Sequence, residues 1–162
     1  MGENIFEKFN SMFNAEELAK GVAEANSGAV EKKDVPFGDY EVRVTKLVLE
    51  ECTFDGDYKG MPQLNIWFKI INNDEYAGQL LFCTKRLVSV KKPSATPFML
   101  HKANEFLESL ESGVPVVFEN FTQYGDLIAE IFNAIDGRAE YQLAYYENKG
   151  YKDYTITQRF KN

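Results

Sequence analysis

Residues 63–71 read Gln-Leu-Asn-Ile-Trp-Phe-Lys-Ile-Ile. Successive side chains of a strand point to opposite faces, so Leu64, Ile66, Phe68 and Ile70 share one face. That apolar set predicts a strand lying on a core. Gln63, Asn65, Trp67 and Lys69 share the other face. This second set holds the only Trp of the chain, set between an amide and a cation. A strand with so strict an apolar face commits the chain to a sheet packed on one side. The character of the other side is left to the rest of the sequence.

A chain of 162 residues fits a single domain with a real core. Hydrophobic residues make up 44% and aromatics 14%, which excludes a disordered protein. No apolar run approaches the roughly 20 residues of a membrane helix. The N-terminal residues lack a basic region followed by an apolar run, so no secretory signal is expected. Cys52 and Cys83 then read as reduced thiols, and the expected location is the cytoplasm.

A net charge of −7 taken alone argues against nucleic acid, but the charges are unevenly spread. Residues 98–136 carry one basic and seven acidic side chains, whereas residues 35–97 carry eight of each. Residues 137–162 carry five basic and three acidic side chains. The strand-like segments are therefore neutral to basic and the helix-like ones acidic, which predicts a polarised surface.

Residues 1–34 read as a helical arm. Ile5, Phe6, Phe9, Met12 and Phe13 have helical spacing, and Asn14 with Glu17 resembles a capping box opening a second helix to about residue 26. The apolar content of residues 1–26 makes this arm the expected contact of a homodimer. From residue 35 the pattern becomes strand-like. A first strand is expected at about 39–53, with a β-bulge near Thr45-Lys46 where the apolar phase shifts. The Trp67 strand follows, then a third at about 79–88, where alternation does not decide which face is buried. An α-helical insertion at about 97–136 holds two helices, one capped by Thr96 and the other covering about 121–135. Strands at about 138–147 and 152–160 close the chain through a hairpin at 148–151.

The expected class is thus mainly β with α (α+β). Three strands, a helical insertion and two more strands follow the order of a five-stranded OB-fold barrel. Oligonucleotides bind that fold on the face of strands two and three, flanked by the loops after strands one and four. Here those places hold Trp67, Asn65 and Lys69; Tyr58 and Lys59; and Lys149, Tyr151 and Lys152. Arg43 shares the Trp67 face by its phase, and Arg86 lies in the third strand. An aromatic plane beside cations can stack a base and hold a phosphate. The competing reading is a Trp half-buried under a helix.

No catalytic or cofactor motif emerges, and neither an enzyme nor a cofactor is expected. The loop Asp55-Gly56-Asp57-Tyr58-Lys59-Gly60 echoes a calcium loop, but Lys59 occupies a ligand position and Ile66 stands where Glu is needed. His101 is the only histidine and has no cysteine near it in sequence, so no metal site is expected.

Several stretches resemble a phage-associated family of Gram-positive bacteria and their prophages, long known only as a domain of unknown function. They are Val35-Pro36-Phe37-Gly38-Asp39-Tyr40-Glu41-Val42, Trp67-Phe68-Lys69-Ile70, Ala77-Gly78-Gln79, 101–107 and 134–137. Members are regarded as single-stranded-DNA-binding proteins of replication and recombination modules. The resemblance implies an OB-fold, single-stranded DNA as ligand, recombinase or replication proteins as partners, and the cytoplasm of a bacterial host cell. It departs at the C-terminus, where Gln158–Asn162 is not the acidic tail many such proteins use for recruitment. The acidic stretch 98–136 is the substitute expected here. The alternative is a protein-interaction module on the same scaffold that binds no nucleic acid.

Overall fold

The computed structural model describes residues 33–160, together with Glu17, Ala19 and Lys20, which are helical. The chain divides into two compact units, Met1–Asp34 and Val35–Asn162. Glu17, Ala19 and Lys20 fall within the second expected arm helix, while the first arm helix and the expected homodimer contact lie outside the described residues.

The second unit is mainly β. Its strands are β1 (Gly38–Glu51), β2 (Pro62–Ile70), β3 (Leu80–Arg86), β4 (Tyr141–Asn148) and β5 (Tyr151–Arg159). Between β3 and β4 come a 3-10 turn at Pro93–Ala95 and two helices, α1 (Thr96–Ser109) and α2 (Phe121–Ile135). All pairings are antiparallel, and the sheet order is β3-β2-β1-β4-β5. The fourth strand therefore returns beside the first, which is Greek-key order.

Register follows from the apolar pattern. Leu64, Ile66, Phe68 and Ile70 are each 0% exposed, so the alternation of β2 maps directly onto a buried face. The β1–β2 pairing slips between Val44 and Lys46, at the expected bulge. Thr45 is the extra residue, and through it Val42, Val44 and Leu47 all point inward despite their broken spacing. On β3 the structure settles what alternation left open: Leu81 and Cys83 are buried, and Phe82, Thr84 and Arg86 are exposed.

The sheet coils over its core. Phe68 on β2 stacks against Tyr154 on β5, with ring centroids 5.9 Å apart, although two strands separate them in the sheet. Tyr154 in turn stacks on Tyr145 at 5.1 Å. α1 packs against β5 and α2 against β1, closing the core from the side of the insertion. Tyr124, Leu127, Ile128, Ile131 and Ile135 form the buried face of α2, as their spacing predicts. Two tyrosine hydroxyls lock this layer: Tyr124 donates to Asn104 Oδ1 and Tyr141 to the Leu110 carbonyl, each at 2.6 Å. Burial pushes both phenols up to about 12.

One expected cap is corrected. Thr96 is the first residue of α1 rather than its N-cap, and Ala95 precedes it without a side-chain bond. The Thr96 hydroxyl instead accepts the Ser89 amide at 3.1 Å, tying the β3–α1 connection. α2 does have a side-chain cap, Asn120, whose Oδ1 accepts the Gln123 amide at 2.8 Å.

Candidate nucleic-acid interface

Strand pairing sets the outward side chains of β1, β2 and β3 into cross-strand rows. From one end these are Arg43–Lys69–Leu80, Lys46–Trp67–Phe82, Val48–Asn65–Thr84 and Glu50–Gln63–Arg86. From Lys69 to Gln63 the strand rises about 20 Å, the length of this face along β2.

The second row is its centre. Trp67 is 36% exposed and Phe82 is 52% exposed among the described residues. Their rings meet edge to face, with centroids 5.1 Å apart and an interplanar angle of 88°. On the other side, Lys46 Nζ sits 4.7 Å from the Trp67 ring centroid, a cation–π contact. A flat ligand stacked on either ring meets the edge of the other, with an ammonium beside the pair. Lys46 and Phe82 were not among the residues singled out from sequence. Their signal is register: each is the cross-strand partner of Trp67, and that requires the strand pairing.

At the Lys69 end, a cavity of about 510 Å³ is lined by residues including Arg43, Lys69, Asn72, Gly78 and Glu140. Arg43 donates to Glu140 at 2.6 Å. Lys69 is exposed and has no carboxylate at ion-pair distance among the described residues. At the opposite end, a cavity of about 490 Å³ is lined by Cys52, Phe54, Gln63, Thr84, Arg86 and Met99. There the Arg86 guanidinium lies 3.8 Å from the Tyr58 ring centroid, joining the β1–β2 loop to β3. Phe54 in the same loop is 79% exposed. The loop is closed at its neck by Cys52 N–H to the Met61 carbonyl at 2.9 Å and Gly60 N–H to the Cys52 carbonyl at 2.8 Å. Within it, Lys59 pairs with Asp55 at 3.0 Å. Asn65 is partly committed, since its Oδ1 accepts from Thr84 at 3.0 Å and from Gln63 at 3.3 Å.

Lys149, Tyr151 and Lys152 belong to the β4–β5 hairpin. β4 pairs with the beginning of β1, from Gly38 with Tyr145 to Val42 with Tyr141. The β4–β5 turn follows the end of β4 that pairs with Gly38, and the coiling of the sheet brings Asp153, beside that turn, near Lys85 of β3. Lys149 and Gly150 have φ of 52° and 84°, the two positive angles of a type I′ hairpin turn. The turn leaves Tyr151 exposed between two exposed lysines. Asp153 braces the stem. Burial alone pushes its carboxyl up, but hydrogen bonds from Asn148, the Tyr154 amide and Tyr146, with the Lys85 ammonium nearby, hold it below its ordinary value.

Of the residues singled out from sequence, Arg43, Asn65, Trp67, Lys69 and Arg86 thus share one face. Tyr58 is joined to it through Arg86, Lys59 lies in the flanking loop, and the other three lie on the β4–β5 hairpin. Burial pushes the Cys83 thiol on the inner face up to about 11. Among the described residues no three His, Cys, Asp or Glu side chains are grouped to hold a metal ion. No described helix is long and apolar enough to cross a membrane. No protein-family model matches the sequence, and comparison with curated proteins gives no match either.

Proposed function

We propose that this chain is a non-catalytic protein that binds single-stranded DNA with little sequence preference, on an OB-type scaffold. The observation that carries this reading is the row Lys46–Trp67–Phe82: two exposed aromatic rings and a cation, side by side on an outward sheet face. Stacking on aromatic side chains is tolerant of sequence because every base has a π-face, and a cation beside the stack meets the backbone. The Greek-key strand order and the coiling that stacks Phe68 on Tyr154 support the OB reading, since that fold is a partly open five-stranded Greek-key barrel. The β2–β3 face and the loops at its two ends are where such a barrel takes an oligonucleotide. Together with the stretches that resemble the phage-associated family, this supports a reading as part of a replication or recombination module in a bacterial cytoplasm, with recombinase or replication proteins as partners.

Fluorescence anisotropy of a labelled oligo-dT tests the proposal. Wild type should bind the single strand and bind the matching duplex far more weakly. Phe82→Ala should weaken the single-strand complex by about tenfold or more. Retained folding with undiminished binding in both Phe82→Ala and Trp67→Ala would remove the stacking assignment.

One surface favours the alternative of a protein-interaction module. Val117, in the loop before α2, is 51% exposed, and Phe121, the first residue of α2, is 39% exposed; both lie within the acidic stretch. If that surface were the sole working one, the protein would form a stable protein complex and show no affinity for oligonucleotides.

A further inference from the structure

We propose that three carboxylates of this chain compete with the DNA backbone for the cations around Trp67, so that strand binding is an exchange of ion pairs. The inference rests on reading the Trp67 face as a single-strand platform. Three basic side chains on that face or in its flanking loop are already engaged. Arg43 holds Glu140 at 2.6 Å, Lys46 holds Glu50 at 2.8 Å and Lys59 holds Asp55 at 3.0 Å. Lys69 and Arg86 have no such carboxylate among the described residues. The engaged cations are not marginal ones. Lys46 is the cation lying over Trp67, so a nucleotide stacked there brings its phosphate to the ammonium that Glu50 holds.

These pairs are partly exposed, with Arg43 and Glu140 side chains at 49% and 28% and Lys46 and Glu50 at 34% and 38%. Exposed pairs are weak, and a phosphate can displace the carboxylate. The exchange has a thermodynamic signature. A cation that neutralises a phosphate of a single strand releases about 0.7 of a counterion. A carboxylate set free in the same step takes a cation back from solution, which cancels much of that release. The paired cations then contribute to contact but little to salt dependence. The chain would hold its strand over a wider range of salt than its count of basic residues implies.

The test uses the full chain with Glu50→Gln, Glu140→Gln and Asp55→Asn, singly and together, and Glu130→Gln as a control. Glu130 is exposed on α2 and removes the same unit of charge away from the face. Affinity for oligo-dT is measured from low to high salt. Each carboxylate variant should bind about two- to fivefold tighter at low salt, the range set by weak exposed pairs. Each should also steepen the slope of log K against log salt by up to about 0.7, and the triple variant by about 2. Glu130→Gln should leave the slope unchanged. Equal slopes in wild type and the triple variant would overturn the exchange while leaving the binding reading intact. An equal effect from Glu130→Gln would overturn it in favour of net charge. No binding of oligo-dT by any of these proteins would overturn the binding reading, and the exchange with it.

Discussion

β2 is one strand with two unlike faces. Inward, Leu64, Ile66, Phe68 and Ile70 are sealed from solvent. Outward, on the same backbone, Trp67 and Lys69 are open, and Trp67 leans on a neighbour that is itself half exposed. The inner aromatic, Phe68, meets Phe106 and Tyr154, so its ring is spent on cohesion. The outer aromatics keep part of their surface open to solvent. A sheet that needed only a core would have no use for an outward Trp–Phe pair beside lysines, because such residues gain little from folding when left in water. On the proposed reading, stability and recognition are divided here by the two-residue period of one strand.

The division can be broken by substitution. Phe68→Ala should cost about 3–5 kcal/mol of stability through the cavity it leaves, read as a large fall in the denaturant midpoint. Trp67→Ala should behave in the opposite way. Its stability should change by less than about 1 kcal/mol, while single-strand affinity falls by about 1–3 kcal/mol, or one to two decades. A Trp67 variant that unfolds like a Phe68 variant would erase the distinction between the faces.

Adjacent residues of β3 offer a chemical version. Cys83 is buried with its thiol pushed up to about 11, so a thiol reagent at pH 8 should reach it only on unfolding. Phe82→Cys should be labelled at once in the native protein, and protection of that thiol by oligo-dT would place the ligand on the outer face.

The smallest effect is expected at the hairpin. The Asp153 carboxyl lies below its ordinary value when folded, so its contribution is present above the unfolded value near pH 4. It is lost as pH falls through the folded value. The stability gap between wild type and Asp153→Asn, measured by denaturant titration, should therefore narrow below about pH 4.

Much of this arrangement was legible along the chain, and the rest fails for identifiable reasons. β2 and α2 follow from period alone, because each keeps its apolar residues strictly on one face. β3 did not reveal its faces, since Leu80, Leu81, Phe82 and Cys83 are apolar in succession and only pairing with β2 separates them. That is why Phe82 was missed although Trp67 was found. Thr96 carries the sequence signature of a cap, but the nearby Ser89 amide takes its oxygen instead. The Arg43–Glu140 pair was illegible for another reason: Glu140 lies 97 residues from Arg43 and reaches it only because β4 returns beside β1.

The central claim is that the outward face of β2 receives a single strand at Trp67. Because Trp67 is the only Trp, its fluorescence reports that site alone. Titration with oligo-dT at low salt should quench it strongly and saturably, duplex DNA should not, and added salt should reverse the effect. Unchanged fluorescence, with no binding of the same oligonucleotide by anisotropy, would contradict the account.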